Sequence, residues 1–526
     1  MHSATRREFL KLAAAGCVGV ATLASGEAEA AEEPAKQPQR PNILFLMTDQ
    51  HRGDCLGCTG NSAIKTPNFD RIAHEGIRFT AAYSSTPSCT PARAALLTGL
   101  NPWHHGQLGY GQVAERYPFE MPRALHDAGY YTFAIGKLHF HPQRNIHGFD
   151  GALLDESRRV QSPGFVSDYN KWFYEKAPGK DPDITGLTWN DYRARVYALP
   201  EELHPTRWIG QNAVEFIEKY DRKEPFMLKV SWERPHSPYD PPKRFMDMYD
   251  PAKMPAPTVG KWAAKYAPGD KDNPNSWHGD FGLDQARKSR QGYYGSVSFI
   301  DEQVSFILKA LQKRGMLDNT LILFTADHGD MLGDHNLWRK TYAYEGSAKV
   351  PMLIRWPKSM GMEDRRGTTA SQPVELRDVL PTFLDAAGAP AKAKLDGASL
   401  LDIVRGKAGA WREYLDLEHT ICYGPENHWN ALTDDRWKYI YHAADGSQQL
   451  FDLSTDPGEL TDLAADPKFA AEVKKWRQRM TRFLAERGPA WVRDGDLIPR
   501  TEKILYSPNY PGTAKNAPAA KGAGES

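Results

Sequence analysis

Asn42-Ile-Leu-Phe-Leu-Met47 runs directly into Thr48-Asp49-Gln50. An unbroken apolar run of strand length that stops at a polar turn is the pattern of a strand buried on both faces. Leu321-Ile-Leu-Phe324 repeats it and ends at Ala326-Asp327-His328-Gly329-Asp330. Two further runs behave alike: Tyr131 to Ile135 leads into Gly136-Lys137-Leu138-His139, and Phe226 to Ser231 leads into Arg234-Pro235-His236. Helical patterns lie between them. Asn68 to Gly76 is short; Arg207 to Tyr220 places Ile209, Ala213, Phe216 and Ile217 on one face; Gln303 to Arg314 stops at Gly315. Alternating strands and helices predict an α/β fold, a large mixed, mostly parallel sheet sandwiched by helices. In such sheets ligands bind beyond the carboxyl ends of the strands, where each of these runs delivers Asp, His or Lys.

Beyond about Leu401 the texture changes. Trp437 to Tyr441 and Gln449 to Leu453 alternate around Asp445-Gly446, a hairpin signal, and Ala470 to Glu486 reads as an amphipathic helix. The chain therefore divides into a catalytic domain over 41–400 and a C-terminal subdomain over 401–500, a smaller antiparallel sheet plus helix. A tail over 508–526, rich in Gly, Ala, Pro and Lys, is expected to be disordered.

Composition excludes several classes. The 526 residues carry 66 Lys+Arg against 66 Asp+Glu, without the basic excess that phosphate contacts require, so no nucleic acid is expected as partner. No stretch approaches the roughly 20 apolar residues of a membrane span. The start is an address label: Arg6-Arg7 before Phe9-Leu10-Lys11, an apolar run from Leu12 to Leu23, then Ala28-Glu29-Ala30. That is a signal peptide over 1–30 of the twin-arginine type, placing the mature chain in the periplasm or outside a bacterial cell, with the Tat translocon as partner. Ala15-Gly16-Cys17 is a weak lipoprotein signal. Cys55, Cys58, Cys89 and Cys422 remain after cleavage, too few for a disulfide scaffold. Cys55 and Cys58 have zinc-knuckle spacing but no second ligand pair.

Ser88-Cys89-Thr90-Pro91-Ala92-Arg93 precedes Ala94 to Gly99, with Pro91 suited to a first helical turn and Gly99 to its end. Cys89 would then stand at a helix amino terminus, where free N–H groups favour an anion, with Arg93 one turn on along the same face.

Cys89-x-Pro91-x-Arg93 resembles the signature of type I sulfatases, in the alkaline-phosphatase-like superfamily. Pro41-Asn-Ile-Leu, Thr66-Pro-Asn-Phe-Asp70, Gly136-Lys137-Leu-His139, Pro235-His236-Ser-Pro238-Tyr239, Asp327-His328-Gly329 and Gly333-Asp334-His335 through Lys340 follow in the family's order. Phe451-Asp-Leu to Asp456-Pro-Gly-Glu459 resembles the family's C-terminal part. The resemblance implies a sulfuric ester hydrolase, arylsulfatase-like, acting on a sulfated saccharide or aryl sulfate. It implies that Cys89 is converted to Cα-formylglycine (3-oxoalanine), so a formylglycine-generating enzyme is a partner. One hydroxyl of the hydrated aldehyde would attack sulfur and the other would expel sulfate. It implies one divalent metal held by Asp49, Gln50, Asp327 and His328, with an oxygen of modified Cys89. Oxygen ligands favour Ca²⁺, whereas Gln50 and His328 stand where many relatives carry Asp and Asn, leaving Mg²⁺ or Mn²⁺ open. Arg93, Lys137 and Lys340 would neutralise the sulfate, His139 would serve as a base and His236 as the general acid. A phosphonate monoester or phosphodiester hydrolase of the same superfamily is the alternative, and a silent sugar-binding protein a third. Trp103, His104, His105, Trp172, His278 and His428 are candidate subsite residues.

Overall fold

The computed structural model describes residues 40–157, 159–407, 409 and 411–512. The expected signal peptide lies outside them. The sheet strands are β1 Asn42–Asp49, β2 Ile77–Phe79, β3 Ala82–Tyr83, β4 Tyr131–Gly136, β5 Gly151–Leu154, β6 Phe226–Pro235, β7 Thr320–Ala326, β8 Met352–Arg355, β9 Thr368–Ala370 and β10 Val374–Glu375. Eight of them form one sheet in the order β5-β4-β6-β1-β7-β8-β2-β9, while β3 pairs with β10. From β5 to β7 every pairing is parallel; only β8 runs against both its neighbours. The central run of the sequence is the central strand: Ile43 pairs with Met227 on one side and Leu321 on the other.

Its unbroken hydrophobicity is used on both faces. Phe45 and Met47 join Ala92, Leu96, Leu125, Leu380 and Phe383, whereas Leu44 and Leu46 join Ile209, Ala213, Ile217, Val304 and Ile307. Each such side chain contributes roughly 1.5–3 kcal/mol on burial, so a polar substitution anywhere along β1 is costly. The helices Cys89–Thr98, Met121–Asp127 and Val379–Ala386 thus cover one face, and Pro205–Lys219 and Leu283–Lys313 the other.

The helix expected over 303–314 begins twenty residues earlier, at Leu283. Its first half has no apolar stripe because it is packed against chain rather than sheet. A Cβ on Gly292 would come within 2.5 Å of the Ala194 side chain, and one on Gly295 within 2.8 Å of Pro241. Close approach, not propensity, selects glycine there.

The C-terminal sheet, β11 Leu415–His419, β12 Trp429–Thr433, β13 Trp437–His442 and β14 Gln448–Asp452, is antiparallel throughout. Tyr439 and Tyr441 on β13 face Trp476, Met480 and Leu484 of the helix Ala470–Leu484. The alternate residue Ile440 packs with Leu337 and Tyr344. The sheet is therefore buried on both faces, and the chain from Arg40 forms one compact unit. Lys438, on the Ile440 side, is fully buried between Glu345 at 2.7 Å and Glu459 at 2.9 Å. Lys438→Met is expected to lower unfolding free energy by about 3–5 kcal/mol, because Glu459 is left buried without its cation, while Glu345 keeps Lys349 at 2.8 Å. Denaturant unfolding reads this, and a change below about 1 kcal/mol would show that the triad contributes nothing net.

The expected tail departs from the prediction at its start. Tyr510 is buried, stacks on Tyr506 at 4.1 Å and donates its hydroxyl to the Gln112 carbonyl at 3.0 Å. Two aromatics give this stretch enough apolar area to dock despite its composition. Residues 513–526 lie outside the described residues. Among the described residues, no helix is long and apolar enough to cross a membrane.

Candidate active site

Four adjacent parallel strands, β4, β6, β1 and β7, end on one edge and deliver Lys137, His236, Asp49 and Asp327 to it. The pairing of β1 with β6 slips between Thr48 and Asp49, so Asp49 lies opposite Pro235 and its carbonyl accepts the His236 N–H at 3.1 Å. Backbone strain concentrates here. Gln50 and His139 adopt left-handed φ values of 64° and 59°, and Arg339 and Thr341 flank Lys340 at 68° and 80°. Such conformations cost of order 1 kcal/mol each and persist where the surroundings over-determine them.

Cys89 opens the helix Cys89–Thr98 and is wholly buried. Ser88 offers the first-turn amides no side-chain cap. Its hydroxyl donates instead to Nε2 of His419, at 3.0 Å, whose Nδ1–H donates to the Thr420 carbonyl. Cys89 Sγ lies 3.3 Å from His328 Nε2 and 3.8 Å from Asp49 Oδ1. Ligand atoms of Asp49, Cys89, Asp327 and His328 all fall within 4.8 Å of one another. His328 Nδ1–H donates to the Gly329 carbonyl at 2.9 Å, which fixes the ring and turns the Nε2 lone pair toward the two carboxylates. Two carboxylate oxygens, one imidazole nitrogen and one Cys89 atom around a common point fit a divalent cation.

Gln50 donates its backbone N–H to Asp327 Oδ1 at 3.0 Å, and its Oε1 accepts from Lys340 at 2.8 Å. Its Nε2 donates to Asp330, a buried carboxylate the motif reading passed over. Lys137 pairs with Asp49 Oδ2. Burial opposes charge on Asp49, yet Lys137, His236, His328 and Arg93 hold its carboxyl well below the usual range. Burial and Asp49 push the Cys89 thiol up, but Lys340, Lys137 and His328 outweigh them and bring it to about 7. A thiol so poised is partly ionised at neutral pH.

Two roles differ from the sequence reading. Arg93 was expected to meet the sulfate, but its donors are engaged: Nε to Asp327 at 3.0 Å, Nη2 to Asp49 at 3.3 Å and Nη1 to the Lys137 carbonyl at 2.6 Å. It positions the two carboxylates. His236 was expected to titrate near neutrality. Its Nδ1–H donates to the Ser237 carbonyl at 2.7 Å and its Nε2 accepts from Lys340 at 2.6 Å. Burial and the Lys340 ammonium keep it well below the usual histidine range, so the mobile proton rests on the Lys340 side of the pair. Among the described residues His139 has both ring nitrogens buried without a partner, and burial with Arg159, Lys137 and Arg93 holds it well below the usual histidine range, so it is neutral.

The expected subsite residues are mostly structural. Trp103 packs edge-on against Trp491 and beneath Arg487, His104 pairs with Asp396 at 2.7 Å, Trp172 joins Trp208, and His428 stands beside Arg500. His105 is wholly enclosed, and His278 bonds to the Tyr266 carbonyl at 3.2 Å. The residues that do border the centre, Tyr110, Glu156, Arg159 and Trp189, carry no motif that could have revealed them. Glu156 accepts the N–H groups of Leu138 and His139, at 2.8 and 3.0 Å, and so fixes the turn after β4.

A cysteine at a helix amino terminus, four groups beside it that could hold a divalent cation and a lysine hydrogen-bonded to a histidine can together serve the hydrolysis of an oxyanion ester. Known proteins agree. The sulfatase family model matches residues 41–389, and the model of the N-sulphoglucosamine sulphohydrolase C-terminal region matches 333–486. The chain is 37% identical to an arylsulfatase of Clostridium perfringens, over 87% of this chain and 97% of that protein. It is 28% identical to an N-acetylglucosamine-6-O-sulfatase of Bacteroides thetaiotaomicron, over 91% of both. The crystal structure of a phosphonate monoester hydrolase of Agrobacterium radiobacter superposes with a TM-score of 0.73 at 26% identity, covering 88% of this chain and all of that one. With the family model covering most of its length and its signature cysteine set against two carboxylates and an imidazole, the chain belongs to the type I sulfatases of the alkaline-phosphatase-like superfamily and is a sulfuric ester hydrolase.

Proposed function

We propose that the protein releases inorganic sulfate from a sulfated carbohydrate, with Cys89 converted to formylglycine and Ca²⁺ held by Asp49, Gln50, Asp327, His328 and the modified residue. The observation that carries this reading is Cys89 Sγ grouped within 4.8 Å of the Asp49, Asp327 and His328 ligand atoms. Relatives that include an N-acetylglucosamine-6-O-sulfatase support the saccharide. Carboxylate and amide oxygens favour Ca²⁺, and the single imidazole leaves Mg²⁺ or Mn²⁺ as the alternative. The bound cation would supply charge that lowers the pKa of the attacking hydroxyl and polarises the ester.

The chain's own residues supply the rest. Arg93 and Lys137 fix the two ligand carboxylates, and Lys340 brings its ammonium to the sulfate while donating to His236. The uncapped first turn offers N–H groups to the anion. His139 accepts the proton whose loss regenerates the aldehyde. The Lys340–His236 pair delivers a proton to the leaving oxygen.

His236→Ala is therefore expected to slow a sugar sulfate by about 10²–10⁴-fold but 4-nitrophenyl sulfate by less than about tenfold, since nitrophenolate leaves without a proton. Equal losses on the two substrates would remove His236 from the acid role. We also propose export through the Tat route to the periplasm or beyond. The paired arginines of the leader support it, and folded export would let a formylglycine-generating enzyme act on Cys89 first.

The reading as a whole is tested by turnover of a sulfate monoester against a phosphonate monoester and a phosphodiester. The sulfate should win in kcat/KM; preference for the phosphonate monoester, the arm that the Agrobacterium likeness supports, or for the phosphodiester would favour the alternative.

A further inference from the structure

The loop after β5 carries a guanidinium that the chemistry above does not use. Its backbone is held from two sides: Glu156 accepts the N–H groups of Leu138 and His139, and the Arg159 carbonyl accepts from Gln143 Nε2 at 2.7 Å. The Arg159 guanidinium lies over the Trp189 ring, 4.5 Å from its centroid. The Trp189 ring in turn meets His236 edge-on at 5.4 Å. Among the described residues, Arg159 Nη1 is buried with no hydrogen-bond partner.

A buried, unpartnered guanidinium nitrogen costs free energy unless a ligand completes it. The nearby carboxylates are engaged elsewhere. Asp49 holds Arg93 and Lys137, Asp327 holds Arg93, Glu156 holds backbone N–H groups, and Asp330 accepts from Gln50 and Tyr239. The Trp189 ring beside it restrains the guanidinium, and a planar fork matches an oxyanion through two parallel hydrogen bonds. The charge of Arg159 is also felt at His236, His139 and Lys340, so the fork borders the reacting centre.

We infer that Arg159 is a specificity-determining residue that pairs with a second oxyanion on the substrate, a sulfate or a carboxylate carried beside the scissile sulfate. The preferred substrate is then at least a dianion. This rests on the reading of the site as a sulfate-ester hydrolase.

Binding and turnover separate the two ideas. Calorimetry on metal-loaded Cys89→Ala protein would compare N-acetylglucosamine 6-sulfate, glucosamine 2-N,6-O-disulfate and glucuronate 2-sulfate. The aldehyde-bearing enzyme would be assayed for kcat/KM on the same three. Arg159→Gln is expected to cut the preference for a dianion over the monosulfate by about 10–100-fold, the worth of a charged, paired contact. Arg159→Lys keeps the charge without the fork and should lose about a third to a half of that factor on a logarithmic scale; it also reads the effect should the Gln variant not fold. Loss confined to the disulfate or to the uronate identifies which oxyanion Arg159 holds. Arg159→Gln weakening all three ligands alike, or wild type favouring neither dianion, would overturn the inference. Dianion preference in binding without turnover of any sulfate ester would sink the reaction and leave the role of Arg159 standing.

Discussion

Cys89→Ala is expected to abolish turnover in every expression host, by roughly 10⁵–10⁶-fold, the scale seen when a covalent nucleophile is removed. The residual protein should still bind substrate, because Lys340 and the uncapped helix terminus remain to hold the anion. Expression without a maturation enzyme should give folded, nearly inactive protein, since a thiol cannot form the geminal diol that attacks and then expels sulfate. The tryptic peptide of active protein should differ from the coded mass by exchange of one sulfur and two hydrogens for one oxygen. Cys89→Ser separates hosts whose maturation system accepts serine from those whose system does not. An alanine variant with wild-type turnover would place the nucleophile elsewhere and falsify the mechanism.

Replacing Asp327 is the second large effect, and the structure changes which variant reads it. Asp327 accepts the Gln50 N–H, its own neighbour's N–H at His328 and the Arg93 Nε–H, each at 3.0 Å. Asp327→Ala leaves the buried Arg93 without one of its two carboxylates, so a loss of about 3–5 kcal/mol of stability accompanies the loss of metal. Asp327→Asn keeps an oxygen for the backbone donors and removes the charge. It should lose the ion, measured by elemental analysis, and activity by at least about 10³-fold, with a smaller loss of stability than alanine because only the Arg93 contact at Oδ2 is broken. Full metal content in the Asn variant would take Asp327 out of the ligand set.

Much of the architecture was legible because a central strand has no polar face to hide. Asn42 to Met47, Tyr131 to Ile135, Phe226 to Ser231 and Leu321 to Phe324 each fall within an observed strand, and three of the four strands run on beyond the apolar core by two or more residues. The first half of the helix Leu283–Lys313 was not legible. It buries Ser289, Arg290, Ser296 and Ser298 alongside its glycines, so no amphipathic stripe marks it. The docking of Tyr510 was hidden by a composition that is otherwise that of a tail.

By itself the sequence determined which chemistry meets at the sheet edge. Parallel strands end on one side, so Asp49, Lys137, His236 and Asp327, each placed just after an apolar run, had to converge. Only the tertiary structure decided how they divide the work. Arg93 reaches Asp327 across 234 positions of sequence and Lys340 reaches His236 across 104. Those contacts turn Arg93 from a sulfate ligand into a support for the carboxylates and move the acidic proton toward Lys340. Arg159 acquires its neighbours by the same route, since Trp189 and the turn after β4 meet it only in the folded chain. Strand burial is a local pattern read along the chain, whereas hydrogen-bond partnership is a property of side chains brought together from distant segments, and no spacing in the sequence encodes it.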